Sequence, residues 1–450
     1  MARAPTERLL RVATCLAQSG YGAQVLGLTA AARALRADPQ LWAAHARYQG
    51  PSGRTLLMHA TCAGNVARIT FLLACGADAE AAMAVVGATS LHLATEAGHC
   101  GAIRALVARG GANVNAVLPS DGTSALLMAC LNGSLEVVRC LVECGATVNA
   151  ARATDGATAL LGASLEGHLS VVRFLVEQGG ADANAVRSTD GVGPLLLASQ
   201  AGHTEVARCL VERGGASEHA ANVDGVTPLM LASQNGHLEI VRLLVERGGG
   251  SADAAGAGGR TALMLASQAG HLEVVRCLLE AGGASANAAS TDGGKTALMW
   301  ACERGHLAVV RCLLETGRAN VNAARTSDGT TALMSATTCG HLEIVRFLVV
   351  HGGANVDAGR SSDGTPALVF AANAGQLEIA RCLLEQGGAN VNAASTDTGF
   401  TALMVASAKG FLDIVRLLLQ RGADRDALCT LGLTARDLAA HHPLVNAALA

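Results

Sequence analysis

Aromatic side chains are nearly missing from this chain. Two Trp, two Tyr and six Phe make up 2% of 450 residues. A core without aromatics must be built from small helices packed closely through Ala, Leu and Val. Surplus positive charge is also missing: 33 Lys and Arg stand against 36 Asp and Glu, a net charge of -3. Phosphate backbones are held by uncompensated cations, so nucleic acid is excluded as a partner. No apolar run approaches the roughly 18 residues of a membrane span, so no membrane partner is expected. Met1 to Gly20 sets Arg3, Arg8 and Arg11 beside Glu7 without a continuous apolar core, which makes a poor secretory signal. The 14 cysteines contain no Cys-x-x-Cys pair. Their scatter fits a reducing compartment, cytoplasmic or nuclear, better than a disulfide framework.

What is present is one stretch written many times. A clean copy runs from Thr291 to Ala324: a Thr-Asp-Gly turn, Thr296-Ala-Leu-Met-Trp-Ala, Gly305-His306-Leu307, an apolar-charged run to Glu315, then Asn320-Val-Asn322-Ala. The opening threonine or its replacement recurs at 55, 89, 124, 158, 193, 227, 261, 296, 331, 366, 401 and 434, a period of 33 to 35 residues. Units this short cannot bury an apolar face alone and must stack. Within a unit, the threonine suits an N-cap and Pro228 suits the first helical position. Gly305 suits a C-cap. Leu307, Val310, Leu313 and Leu314 form a stripe at helical spacing. The Asn-Val-Asn-Ala and Thr/Ser-Asp-Gly segments read as a hairpin finger.

The order Thr-Pro-Leu…Leu-Ala…Gly-His-Leu-Glu-Ile-Val-Arg-Leu-Leu from Thr227 to Leu244, with Gly-Ala-Asn-Val-Asn-Ala in sister copies, resembles the ankyrin repeat. The resemblance covers about Gly53 to Ala427. It implies an all-α ankyrin-repeat solenoid of eleven units, helix-turn-helix plus finger, over residues 48–427, with a partial capping unit over 428–450. Two features depart from the family. Its Thr-Pro-Leu-His usually reads Thr-Ala-Leu-Met here, with the His kept only at His92. The period is also longer than usual, with the surplus at a Gly-Gly pair and in the finger.

Residues 1–47 lie outside the repeat. Pro5-x-Glu7-x-Leu9-x-x-Val12-x-x-x-Leu16, then Leu28, Leu35, Leu41 and Trp42, resembles an F-box. That resemblance implies docking to the adaptor subunit of a cullin-RING ubiquitin ligase. A short helical module that only caps the stack explains the same apolar spacing, and both readings stand at this point. Finger asparagines 115, 149, 322 and 392 sit in a Val-Asn-Ala context. The ankyrin resemblance implies that oxygen-dependent hydroxylases modify such residues.

The tempting chemistry has a structural explanation. Equivalent positions in stacked units lie about 8–10 Å apart. The recurrent His99, His168, His203, His237, His271, His306 and His341 therefore cannot share a metal ion and are expected to tie one loop to the next. Cys140, Cys209, Cys277, Cys312 and Cys382 occupy a slot that Phe174, Leu243 and Phe347 also fill, which indicates apolar packing. In the arginine ladder from Arg139 to Arg416, Arg139, Arg242 and Arg276 have Glu at i-3 and i+4, the pattern of a balanced outer face. No catalytic, metal or cofactor signature remains. The expectation is a monomeric, non-enzymatic scaffold that binds a protein partner where the copies differ. Those positions are Gln234, Asn235, Gln268, Glu303, Arg304, Asn373 and Lys409 on the first helices, and Arg260, Lys295 and Phe400 on the fingers. Trp300 is read as core filling.

Overall fold

A computed structural model describes residues 54–84, 86–247 and 251–450. The F-box-like residues Pro5, Leu9, Val12, Leu16, Leu28, Leu35, Leu41 and Trp42 lie outside the described residues. The chain divides into two compact units, with the boundary between Ala216 and Ser217. The described residues form 24 α-helices in twelve consecutive pairs, one short 3-10 turn and no strand.

Capping residues define each pair. Thr296 Oγ1 accepts from the backbone N–H of Met299 at 3.4 Å, and Thr55, Thr227, Thr261, Thr331 and Thr401 do the same for their own helices. Such a cap contributes about 1 kcal/mol. Gly193 and Pro366 supply no side-chain cap; after Gly193, Pro194 opens the helix instead. The first helix of the clean copy, Ala297–Arg304, ends at Gly305 with φ +80. The second, Leu307–Glu315, returns antiparallel to it.

The core lies between these layers. Ala297, Leu298, Met299, Ala301 and Cys302 of the first helix are buried, as are Val309, Val310, Cys312 and Leu313 of the second. Leu307 and Leu314, included in the expected stripe, remain partly exposed. The buried face is centred one position further round, on the Val-Val pair and the cysteine slot. Within each compact unit first helices stack on first helices: Ala262–Ala269 packs on Pro228–Asn235 and on Ala297–Arg304. Within each unit second helices stack likewise.

The fingers are short hairpins. Isolated antiparallel bridges join Ala289 to Thr296 and Ala324 to Thr331. Finger backbones also bond to their neighbours, as from Thr396 N–H to the Asp363 carbonyl at 2.8 Å. The twelfth unit keeps both helices, with the first cut to Ala435–Leu438 and the second spanning Pro443–Leu449. It is therefore more complete than the partial unit expected from its sequence.

The surplus residue of the long period sits at the end of the second helix. In a copy without the Gly-Gly pair, the Ala146 N–H reaches back five residues to the Leu141 carbonyl. With the pair present, the Ala284 N–H reaches back six, to Leu278. The first glycine admits no Cβ, because one at Gly282 would stand 2.7 Å from the Leu278 carbonyl oxygen. The second adopts φ +63 at Gly283. Arg318 occupies that second place in its own copy, with φ +50, the single non-glycine among the described residues with positive φ. A left-handed conformation costs an L-residue roughly 1–2 kcal/mol, partly offset in glycine by its greater unfolded freedom. Arg318→Gly is expected to stabilise the protein by about 0.5–1 kcal/mol in urea unfolding; a loss of stability would show that the Arg318 side chain makes a compensating contact.

Candidate interaction surface

The recurrent histidines position the surface. His306 Nε2–H donates to the Gln268 carbonyl and His341 Nε2–H to the Glu303 carbonyl, each at 3.1 Å. His168, His203 and His271 tie to Leu131, Leu165 and Gln234 in the same way at 2.9–3.1 Å. A carbonyl only accepts, so Nε2 carries the proton in this tautomer. Each ring also lies beneath the helix-ending glycine of the preceding copy: a Cβ at Gly305 would meet His341 Cε1 at 2.7 Å. Gln376 and Phe411 replace the histidine in two copies. Gln376 keeps a long bond to the Thr338 carbonyl at 3.5 Å. Phe411 fills the space under Gly375. Wherever such a bond forms, the anchored carbonyl belongs to the seventh residue after the opening threonine, which is one of the positions where the copies differ.

On this frame the structure brings four candidate residues together around a fifth that had been misread. Trp300 is partly exposed, not core filling. Lys295 Nζ lies 4.0 Å from the centroid of its ring, and the Arg260 guanidinium, from the preceding finger, lies 4.8 Å away. Lys295 Nζ bonds Glu303 Oε2 at 2.7 Å, with both side chains about four-fifths buried. Arg260 Nη2 bonds the Gln268 amide oxygen. The finger cations are thus not free anchors; each is held by the first helix of its own unit and stacked on one indole. Cation–π contacts of this sheltered kind contribute about 1–2 kcal/mol. Buried Trp300 Nε1–H and Arg260 Nε–H have no acceptor within the protein.

A second group forms two repeats on. Asn373 and Phe400 line one depression of about 190 Å³ with Val369, Phe370, Asp397 and Val405. Arg360 lies over the Phe370 ring at 5.2 Å and bonds Asp363. Gln234, Asn235, Arg304 and Lys409 are exposed at first-helix ends and join neither group.

The outer face is mostly as expected. Arg242–Glu239 and Arg346–Glu343 pair at 3.1 Å. Two copies differ. Arg139 lies 5.0 Å over the Phe174 ring, while Glu143 pairs with Arg104 at 3.0 Å instead. Arg311, which has Ala308 where most copies have Glu, lies 4.9 Å over Phe347. In both, phenylalanine in the cysteine slot of the next copy attracts the cation. The buried cysteines behave as fillers: desolvation pushes the Cys140 thiol up to about 12, and also raises Cys302 and Cys312. Among the described residues no His, Cys, Asp and Glu group could hold a metal ion, and no helix is long and apolar enough to cross a membrane.

The fingers hold a motif that sequence reading missed, Arg-x-x-Asp-Gly. Arg152–Asp155 and Arg187–Asp190 close at 2.6 and 2.5 Å, and Arg360–Asp363 closes in the same way. The aspartates also accept the N–H two residues on, at 3.0 Å for Ala157 and Thr365. The recurrence of Arg three residues before the turn Asp was the signal available. Finger asparagines bridge neighbours: Asn322 Oδ1 accepts from Asn355 N–H at 2.7 Å and Nδ2 donates to Gly353 at 3.3 Å.

These contacts give the stability a two-stage dependence on pH. Burial lowers the pKa of His92 below its ordinary 6.5. Its contribution is complete above that value and declines as pH falls below it, because the unfolded state takes up the proton. The guanidinium hydrogen bond holds Asp155, and likewise Asp363, near 2 against 3.8. Their contribution is present above 3.8 and is lost as pH falls towards 2. Thermal melts should therefore soften mildly from about pH 6.5 and then steeply below about pH 4. Asp155→Asn with Asp363→Asn should flatten the lower stage; an unchanged acid limb in that variant would contradict the assignment.

Residues 29–118, 110–187, 179–254, 195–292, 263–359 and 352–428 match the family pattern described as ankyrin repeats, three copies. The chain belongs to the ankyrin repeat family. The first match starts at residue 29, within the segment that resembles an F-box. Among solved structures, the ankyrin repeat domain of Bcl-3, described as a unique member of the IkappaB protein family, is 34% identical, with a TM-score of 0.46. The match covers 50% of this chain and 99% of that one. None of the curated proteins compared with the chain matches it. As an ankyrin-repeat solenoid, the protein has the architecture of a protein-interaction scaffold.

Proposed function

We propose that this ankyrin-repeat protein is a monomeric, non-enzymatic scaffold that holds a protein partner along its first-helix ends and fingers. One observation carries the reading. Residues shared by most copies are consumed by caps, loop ties and outer ion pairs, whereas six of the ten varying candidates gather around Trp300 and around Phe370 and Phe400. Aromatic and Arg side chains are the usual anchors of interfaces, and a chain with so few aromatics places three of them here. In the finer form of the proposal, residues 1–47 act as an F-box-like module. Pro5, Leu9, Val12, Leu16, Leu28, Leu35, Leu41 and Trp42 would dock the adaptor subunit of a cullin-RING ubiquitin ligase, while the repeats select a substrate. The alternative is a plain scaffold with no ubiquitin link.

Affinity capture with the full chain tests both layers. Trp300→Ala with Phe400→Ala should release proteins that Arg346→Ala, on the outer face, still captures. If the three baits capture the same set, the groove reading fails. Separately, Leu9→Ala, Leu16→Ala and Trp42→Ala in the full chain should abolish recovery of the ligase adaptor. Absence of the adaptor from the unaltered bait, or equal recovery by both, removes the ubiquitin link and leaves the scaffold.

A further inference from the structure

We propose that the depression between Phe370 and Phe400 receives one lysine or arginine side chain from the protein partner. The inference rests on the scaffold reading and specifies the chemistry of its occupant. The repeat provides an internal template. At Trp300 the residue before the opening threonine, Lys295, lies on the aromatic ring at the fourth position and reaches the carboxylate of Glu303 at the seventh. Two repeats on, the aromatic is kept as Phe370, but the residue before the opening position is Thr365 and the seventh is Asn373. The place taken by an internal ammonium in one copy therefore has no internal cation from that position in the other.

The surroundings suit a cation supplied from outside. The lining combines an apolar floor of Val369, Phe370, Phe400 and Val405 with the carboxylates of Asp363 and Asp397, and contains no Lys, Arg or His. Arg360 stands beside it, but its guanidinium is engaged with Asp363 and stacked on Phe370. Asp397 forms no ion pair of its own among the described residues; the Arg360 guanidinium acts on it only at longer range. Asp397 is exposed at the rim and accepts from Ser395 Oγ at 2.5 Å. Lysine and arginine place their methylene stems on apolar surface while the charged head reaches a polar rim. The depression, about 190 Å³, has room for a single side chain of this kind.

The test uses displayed twelve-residue peptides selected on the full chain, with affinities read by fluorescence polarisation. Asp397→Asn keeps the hydrogen-bond acceptor and removes the charge; Phe400→Ala opens the floor; both are checked for an unchanged melting temperature. Selected peptides that lose about tenfold in either variant are expected to contain Lys or Arg. Replacing that residue by norleucine should cost about tenfold against the unaltered chain and almost nothing further against Asp397→Asn. Sensitivity to Asp397 in peptides without a basic residue, or no coupling between the basic residue and Asp397, would overturn the proposal. So would peptides that bind equally to all three proteins. That last outcome removes this assignment alone, because the scaffold reading is judged separately by the capture experiment.

Discussion

Leu298→Ala should lower stability by about 2–5 kcal/mol, the usual range for a leucine truncated in a packed core. Leu298 is 1% exposed, between buried Met299 of its own helix and the stacked helices on either side. In a repeat stack, stability is a sum of unit and nearest-neighbour terms, so the loss should be local. Hydrogen exchange should show protection falling in residues 261–350 while residues 125–177 keep theirs. A uniform fall through both segments would mean that the chain unfolds as one cooperative block. Urea unfolding of the variant should then broaden or split, and a single unbroadened transition would support the same contrary conclusion.

Gly305→Ala is the second large effect, at roughly 2–3 kcal/mol. The backbone at φ +80 costs an alanine about 1–2 kcal/mol. The new Cβ would also stand 2.7 Å from His341 Cε1, so the ring must move and its bond to the Glu303 carbonyl must lengthen. His341→Ala alone should cost about 1–2 kcal/mol, from the lost hydrogen bond and packing. The two sites share one contact, so the double variant should cost about 1 kcal/mol less than the sum of the single variants. Strict additivity would show that glycine is required only for its backbone conformation. The chain already contains a milder version of this exchange: Gln376 follows Gly340 and keeps a 3.5 Å bond to Thr338.

Legibility in the sequence followed the range of the interaction. The caps and the left-handed glycines were readable, because they act within a few residues. The histidine ties were readable as well, since a step of one repeat is itself a regular spacing. Contacts that cross from one copy to a different position in the next were not. Trp300 reads as core because it stands where the ankyrin pattern has an inward-packing Leu; its cations come from Arg260 of the neighbouring finger and from Lys295 beside it. Arg139 was assigned a glutamate by helical spacing, and Phe174 in the next copy overrides that pairing. Of the candidate surface, the residue types were visible but their pairing was not: Lys295 with Glu303, Arg260 with Gln268, Asn373 with Phe400.

The central claim is that shared residues build the frame and differing residues recognise the partner. It is tested most directly by measuring, with the peptides selected on the full chain, the affinities of a groove variant and a frame variant side by side. Phe400→Ala should weaken binding of the peptides seated there by about tenfold with an unchanged melting temperature. His341→Gln, an exchange the chain itself makes at position 376, should lower the melting temperature slightly and leave affinity within about twofold. The reverse pattern, binding indifferent to Phe400 and lost with His341 in a folded protein, would contradict the account.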